Sequence, residues 1–202
     1  MSLRIMAAAL LAAIAPSRCG CGAGGSVLCA GCAEAIEATP QPILAGARAA
    51  FTYADEVRAV LHHGKFRDGR SALRALAWMG ASRLSPPPGA VVAPVPLAAR
   101  RVVERGYNQA EVVAAAFADF HRLRLRCLLL RDRETAPQST LDRAGRHSNV
   151  AGAFTAAPGA AAQAVWLVDD VLTTGATTAA ARDALLAAGA GRVEVAVLAA
   201  VP

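Results

Sequence analysis

The stretch Val165–Thr178, VWLVDDVLTTGATT, decides how this chain is read. Trp166, Leu167 and Val168 form an unbroken apolar run, the pattern of a parallel strand buried on both faces. The Ala-rich run from Ala179 to Ala188 predicts a helix, so the loop Thr173–Thr177 joins a strand end to a helix N-terminus. Such a loop offers what a phosphate monoester needs. Gly175 lets the backbone approach closely, successive N–H groups point inward, hydroxyls add donors, and the helix dipole favours negative charge. Asp169 and Asp170 fall at the carboxyl end of the strand, where open α/β sheets bind ligands. Two acids facing a phosphate repel it unless they hold sugar hydroxyls or a metal on the same ligand, and a phosphorylated ribose satisfies both halves. The plain alternative, a ligand-free strand–turn–helix, requires neither the acid pair nor three threonines. Adjacent strand residues point to opposite sides, so both acids reach one ligand only if the strand has turned at Val168, and the loop that follows suggests that it has.

A chain of 202 residues accommodates one domain of ordinary size with a small appendage. Hydrophobic residues make up 55% of it, enough for a core, whereas an aromatic content of 4% argues against a base-stacking platform. The net charge of +6 favours anionic ligands or partners. Its arginines cluster at 100–105 and 122–133, which suits phosphate groups and nucleic acid equally well. Met6–Ala15 is apolar and follows Arg4, like the core of a signal peptide, but the cysteine cluster starts directly afterwards with no clean small-x-small cleavage site, which favours a short packed helix. No apolar run reaches the roughly eighteen residues of a membrane span, and a cytoplasmic location is expected.

Four cysteines, Cys19, Cys21, Cys29 and Cys32, lie in RCGCGAGGSVLCAGC. The glycines between them permit the tight turns that bring four thiolates around one tetrahedral zinc. A segment this short cannot bury a core, so metal ligation would supply its folding free energy, on the order of 10 kcal/mol. Structural zinc is favoured over disulfides or free thiols, although the C-x-C pair is one residue shorter than the usual knuckle. Cys127, alone in LRLRCLLLR, is expected as a strand core residue.

Thr39–Pro42 marks a boundary after the cysteines. Beyond it the periodicities predict strands at Ala49–Tyr53, Val91–Leu97, Leu125–Leu130, Gly152–Thr155 and Val193–Ala199. They predict helices over Asp55–His62, Ser71–Leu84 and Asn108–His121, with Leu73, Leu76 and Ala77 on one face of the second and Asn108 capping the third. Strands alternating with helices imply an α/β fold with a parallel sheet. The polar stretch Glu134–Asn149 is too long for a bare connector and is a candidate functional flap.

The run at 165–178 resembles the binding motif for 5-phosphoribosyl 1-diphosphate (PRPP) of type I phosphoribosyltransferases: apolar strand, two acids, two apolar residues, then TTGxT. More widely, the chain resembles the ComF family, competence-linked phosphoribosyltransferase-like proteins that include the GntX group. The blocks that carry this are the cysteine module, HHGKFRDG at 62–69, PVPL followed by RGYNQA within Pro94–Ala110, and Arg131, Thr135, Gln138, Leu141, Arg146, Asn149-Val150 and Gly152-Ala153-Phe154.

The resemblance implies a type I phosphoribosyltransferase-like parallel sheet flanked by helices. It places an N-terminal helix and a zinc-ribbon-like four-cysteine module in residues 1–45 and the phosphoribosyltransferase-like domain in 46–202, with a flexible hood at about 132–150. It assigns Asp169 and Asp170 to the ribose hydroxyls, Thr173, Thr174, Gly175, Ala176 and Thr177 to the 5′-phosphate, and Mg²⁺ to the bound PRPP. Arg100, Arg101 and Arg105, which follow a strand end, are candidates for the diphosphate, with a solvated basic turn as the equal alternative. Gln138 and Arg146 are candidates in the hood. Thr173 stands where purine-type members have an aspartate, which argues against a purine substrate, and no segment specifies an acceptor. The implied function is PRPP binding and phosphoribosyl transfer to an unidentified acceptor, linked to DNA uptake. The alternatives are a non-catalytic PRPP-binding regulator and an accessory protein handling single-stranded DNA beside the competence helicase machinery.

Overall fold

The computed structural model describes residues 18–65, 69–131, 152–161 and 163–201. After the cysteine segment the elements are α1 (Ala30–Ala38), β1 (Ala47–Thr52), α2 (Asp55–His63), α3 (Arg70–Ala81), β2 (Val91–Pro94), α4 (Ala99–Arg105), α5 (Gln109–His121), β3 (Leu129–Arg131), β4 (Phe154–Ala156), β5 (Ala164–Leu172), α6 (Ala176–Ala187) and β6 (Arg192–Ala200). Four strands form a parallel sheet in the order β1-β6-β5-β2, and β3 and β4 form a separate antiparallel pair. The α/β class, the parallel sheet flanked by helices and the cluster of four cysteines are those the sequence predicts.

The unbroken apolar character of β5 follows from burial on both faces. Trp166 and Val168 face the side covered by α2, α3 and α5, together with Leu198 and Phe117. Val165 and Leu167 face the side where Ala181 and Leu185 of α6 meet Leu129 and Phe154 of the antiparallel pair. Trp166 is the largest side chain in the core, packed on Phe117 with ring centroids 5.2 Å apart. The alanines serve close approach. Gly80 of α3 takes this to its limit, because a Cβ there would lie 2.6 Å from Leu198 Cδ1 and 3.1 Å from Ala50 Cβ.

The helix α1 docks on this body through Ile36, fully buried in the same cluster as Val57 and Val60 of α2. Arg83 holds its far end, donating to Thr39 O at 2.6 Å and to Glu37 O while its guanidinium lies 4.5 Å from the centre of the Phe51 ring. A cation on the last carbonyls of a helix satisfies groups that have no partner within it.

Several boundaries differ from the sequence expectation. The strand expected over Val91–Leu97 stops at Pro94, since Pro94 and Pro96 have no N–H to offer a ladder; its last bond is Val95 N–H to Val168 O at 2.9 Å. The helix expected over Ser71–Leu84 ends at Ala81, where the backbone tightens into turns from Arg83 N to Gly80 O and Leu84 N to Ala81 O. The strand expected over Leu125–Leu130 is split. Leu125 bridges to Val92 at the edge of the main sheet, and β3 begins at Leu129 in the second sheet. Cys127 falls on the crossover and is exposed, so it is not a core residue. The strand near Gly152–Thr155 is Phe154–Ala156. Most consequentially, β5 does not turn at Val168 but stays paired with β6 through Leu172, placing Asp169 and Asp170 inside the strand.

Two glycines, both within helices, give opposite expectations. Gly80→Ala should lower stability by about 1–3 kcal/mol through overpacking. Gly31→Ala, where a Cβ meets nothing within 4 Å, should raise it by roughly 0.5–1 kcal/mol by restricting the unfolded chain. Urea midpoints of the two variants check both signs.

Candidate functional site

Where the β2 ladder ends, a cavity of about 300 Å³ opens. Up to Val168, β5 is hydrogen-bonded on both sides; from Asp169 to Leu172 it is paired with β6 alone. The cavity wraps around this free edge, which is how residues pointing to opposite faces, Asp169 and Asp170, both line it. Their carboxylates lie back along the strand, accepting from the N–H groups of Asp170 and Val171, each at 2.9 Å. Asp169 is half-buried. Burial pushes its carboxyl well above the usual range and the Asp170 charge adds to this, while the nearby Arg131 guanidinium pulls it part of the way back.

All five residues of the threonine–glycine loop line the cavity. The helix begins earlier than the Ala-rich run suggested: Gly175 is the N-cap of α6, so Ala176 and Thr177 lie in its first turn. Their N–H groups therefore belong to the helix end that has no partner within the helix, and the first-turn dipole points at the cavity. Gly175 has φ +77°, a conformation that any side chain strains, whereas the nearest atom to a Cβ would be 3.8 Å away. Backbone conformation, more than space, calls for glycine here. The Thr178 hydroxyl donates to Gly175 O at 3.0 Å and braces the turn from inside.

The opposite wall is basic. Arg101 and Arg105 sit one turn apart on α4 and line the cavity, joined by Lys65 from the end of α2 and Arg131 from the end of β3. Arg100 does not take part: it is exposed and bonds to Glu104 at 2.9 Å, because a step of one residue turns it about a hundred degrees from Arg101. Asn108 caps α5, accepting from Ala110 N at 3.1 Å, and donates to Val95 O at 3.0 Å, fixing the end of β2. Gln138, Arg146 and the flap that holds them lie outside the described residues. Lys65, Arg131 and Gln109 were not singled out as site residues from the sequence. All three stand in blocks that carry the family resemblance, but only the fold brings them to one cavity.

In the cysteine segment, the sulfurs of Cys19, Cys21, Cys29 and Cys32 all lie within 4.8 Å of one another. Cys21 Sγ and Cys29 Sγ are 3.7 Å apart, the edge of a tetrahedron with bonds of about 2.3 Å and far beyond the roughly 2.05 Å of a disulfide. The short C-x-C pair closes through a tight turn at Gly22, φ +93°, with Gly22 N–H donating to Cys19 O at 2.8 Å. Cys29 is the N-cap of α1 and Cys32 lies in its first turn, where burial and hydrogen bonding with the neighbouring thiols push the Cys32 thiol up. Burial raises the Cys19 thiol, but hydrogen bonds from the backbone at Cys21 and Cys29 and from neighbouring thiols outweigh it and bring it down to about 7. This set can hold a metal ion such as zinc.

No protein-family model matches the chain, and no curated protein does. Among solved structures, the chain is similar to the glutamine phosphoribosylpyrophosphate (PRPP) amidotransferase from B. subtilis, complexed with ADP and GMP. The identity is 22% and the TM-score 0.46, over 64% of this chain and 26% of that one. Among the described residues, no helix is long and apolar enough to cross a membrane.

Elemental analysis of protein purified without chelators should give about one zinc per chain, lost in Cys29→Ser. Four titratable thiols and no metal would overturn that expectation. At the acids, the folded state holds the Asp169 proton to higher pH than the unfolded chain does. Stability should therefore fall as pH rises from about 4 toward the raised value, and Asp169→Asn should raise the urea midpoint at pH 7 and flatten that fall.

Proposed function

We propose that the cavity binds PRPP with Mg²⁺, and that the protein transfers phosphoribose from it to an acceptor. The observation that carries this reading is the convergence of three separate elements on one cavity: the acid pair on the free edge of β5, the TTGAT loop at the N-terminus of α6, and the arginines of α4. Each matches a different part of one ligand. The first-turn N–H groups and the Thr173, Thr174 and Thr177 hydroxyls suit the 5′-phosphate. Asp169 and Asp170 suit the ribose hydroxyls. Arg101, Arg105, Lys65 and Arg131 suit the diphosphate.

Mg²⁺ carried with the ligand would offset diphosphate charge. The protein's part in the reaction is positioning and charge stabilisation. A nucleophile forms its bond to C1 of ribose as the bond from C1 to the diphosphate oxygen breaks. The electron pair leaves with diphosphate, and the basic wall receives the added charge. The cluster of four cysteines is proposed as a structural zinc site. Release of diphosphate on adding candidate acceptors separates a transferase from a protein that only binds PRPP.

Calorimetry with PRPP and Mg²⁺ should show one site per chain. Asp170→Asn and Thr174→Ala should each weaken binding by about 1–3 kcal/mol while the fold is retained, the usual range for a lost hydrogen bond to a charged group. Folded variants with the affinity of the parent would mean that the ligand is not a ribose phosphate held in this way.

A further inference from the structure

The cysteine segment and the cavity wall meet on the last turn of one helix, α2, at neighbouring residues. The knuckle rests on α2 with no space between them: a Cβ at Gly20 would lie 3.0 Å from both Val60 Cα and Val60 N. Ile36 of α1 seats on the same helix beside Val57 and Val60. The residues that follow Val60 along the chain serve the cavity. Leu61 O accepts from Gln109 Nε2 at 3.3 Å, Gly64 O accepts from the Tyr107 hydroxyl, and Leu61 and Lys65 line the cavity themselves. Gln109 is 2% exposed, an uncommon burial for an amide, and its Oε1 accepts from Arg105 Nη1. A continuous path therefore runs from Cys19-Gly20-Cys21 through Val60 and Leu61 to Gln109 and Arg105.

We infer that the metal module is a positioning element of the cavity, and that Gln109 is the residue through which α2 sets Arg105 against the anion. A segment with no core of its own has two states, folded with metal and unfolded without it, which is the bistable part that a coupling requires. Folding of the knuckle clamps α2 from outside. The clamped helix presents Leu61 O and Gly64 O at fixed positions, and the buried amide passes this on to Arg105. Metal occupancy and anion affinity are then linked, each strengthening the other by the same factor.

The inference rests on the anion-binding reading of the cavity, so one readout is chosen that needs no ligand. In the full chain, removing the metal by chelation followed by dialysis should speed hydrogen exchange at the amides of Tyr107–Ala110. Unchanged exchange there overturns the inference whatever the cavity binds. With PRPP and Mg²⁺ added after the chelator is gone, the stripped protein should bind at least about fivefold more weakly than the loaded one. Gly20→Ala, which pushes on Val60, should weaken binding several-fold with the metal still present, and covers the case in which stripping unfolds the chain. Gln109→Leu should weaken binding and also remove the dependence on metal. Equal affinity of loaded and stripped protein, or a Gln109→Leu variant that keeps the full metal-dependent loss, overturns it. Faster exchange with no PRPP binding in any form would support the positioning of α5 and instead remove the phosphoribosyl reading.

Discussion

Everything at the site depends on one mismatch in length. Strand β5 has nine residues and its neighbour β2 has four, so the ladder between them closes at Pro94 and Val168 while β5 continues to Leu172. An unpaired strand edge inside a protein is costly, because its polar backbone groups need partners. Here the carboxylates of Asp169 and Asp170 bend back onto two of those N–H groups. The cavity takes up the rest of the edge. The prolines at 94 and 96, which lack an N–H to extend the ladder, thus define the site from a neighbouring strand.

The electrostatics of the cavity are poised rather than balanced. Burial, and then the charge of the adjacent Asp170, push the Asp169 carboxyl up. Arg131 is itself disfavoured by burial and by Arg101, and is helped by Asp169. Each charge is held partly by its opposite across the cavity, so a ligand carrying both phosphates and hydroxyls relieves groups on both walls at once. Groups held in this way cost stability in the free protein, a pattern common where binding is the purpose.

The sequence made the cavity-lining motif legible because it is local: strand, acids, loop and helix follow one another within fourteen residues, and the cavity draws on each of these elements. It made the core legible where periodicity is strong, as at Leu73, Leu76 and Ala77, all fully buried. It did not reveal what depends on register between distant segments. That β5 runs on past Val168 is a property of β6, which still pairs there, and that Arg100 misses the cavity is a property of how α4 is rolled. Cys127 looked like a core residue within an apolar strand, and only the passage of the chain from one sheet to the other exposes it. Lys65, Gln109 and Arg131 come from three separate elements, and no spacing rule links them.

The strand order has a consequence for how this chain acquires its structure. Among the described residues, β1 pairs in the sheet with β6 alone, so Ala47 waits for Val195, and the ion pair of Arg48 with Glu194 spans 146 positions. During synthesis the first strand emerges long before the edge it needs. Until then Phe51 and Ala50 have no sheet to lie on. Closing so large a loop is entropically slow, and parallel pairings at this separation place a protein among the slower folders. The nascent chain must keep an apolar strand from straying for most of its translation, which is a period of exposure to aggregation and to chaperones.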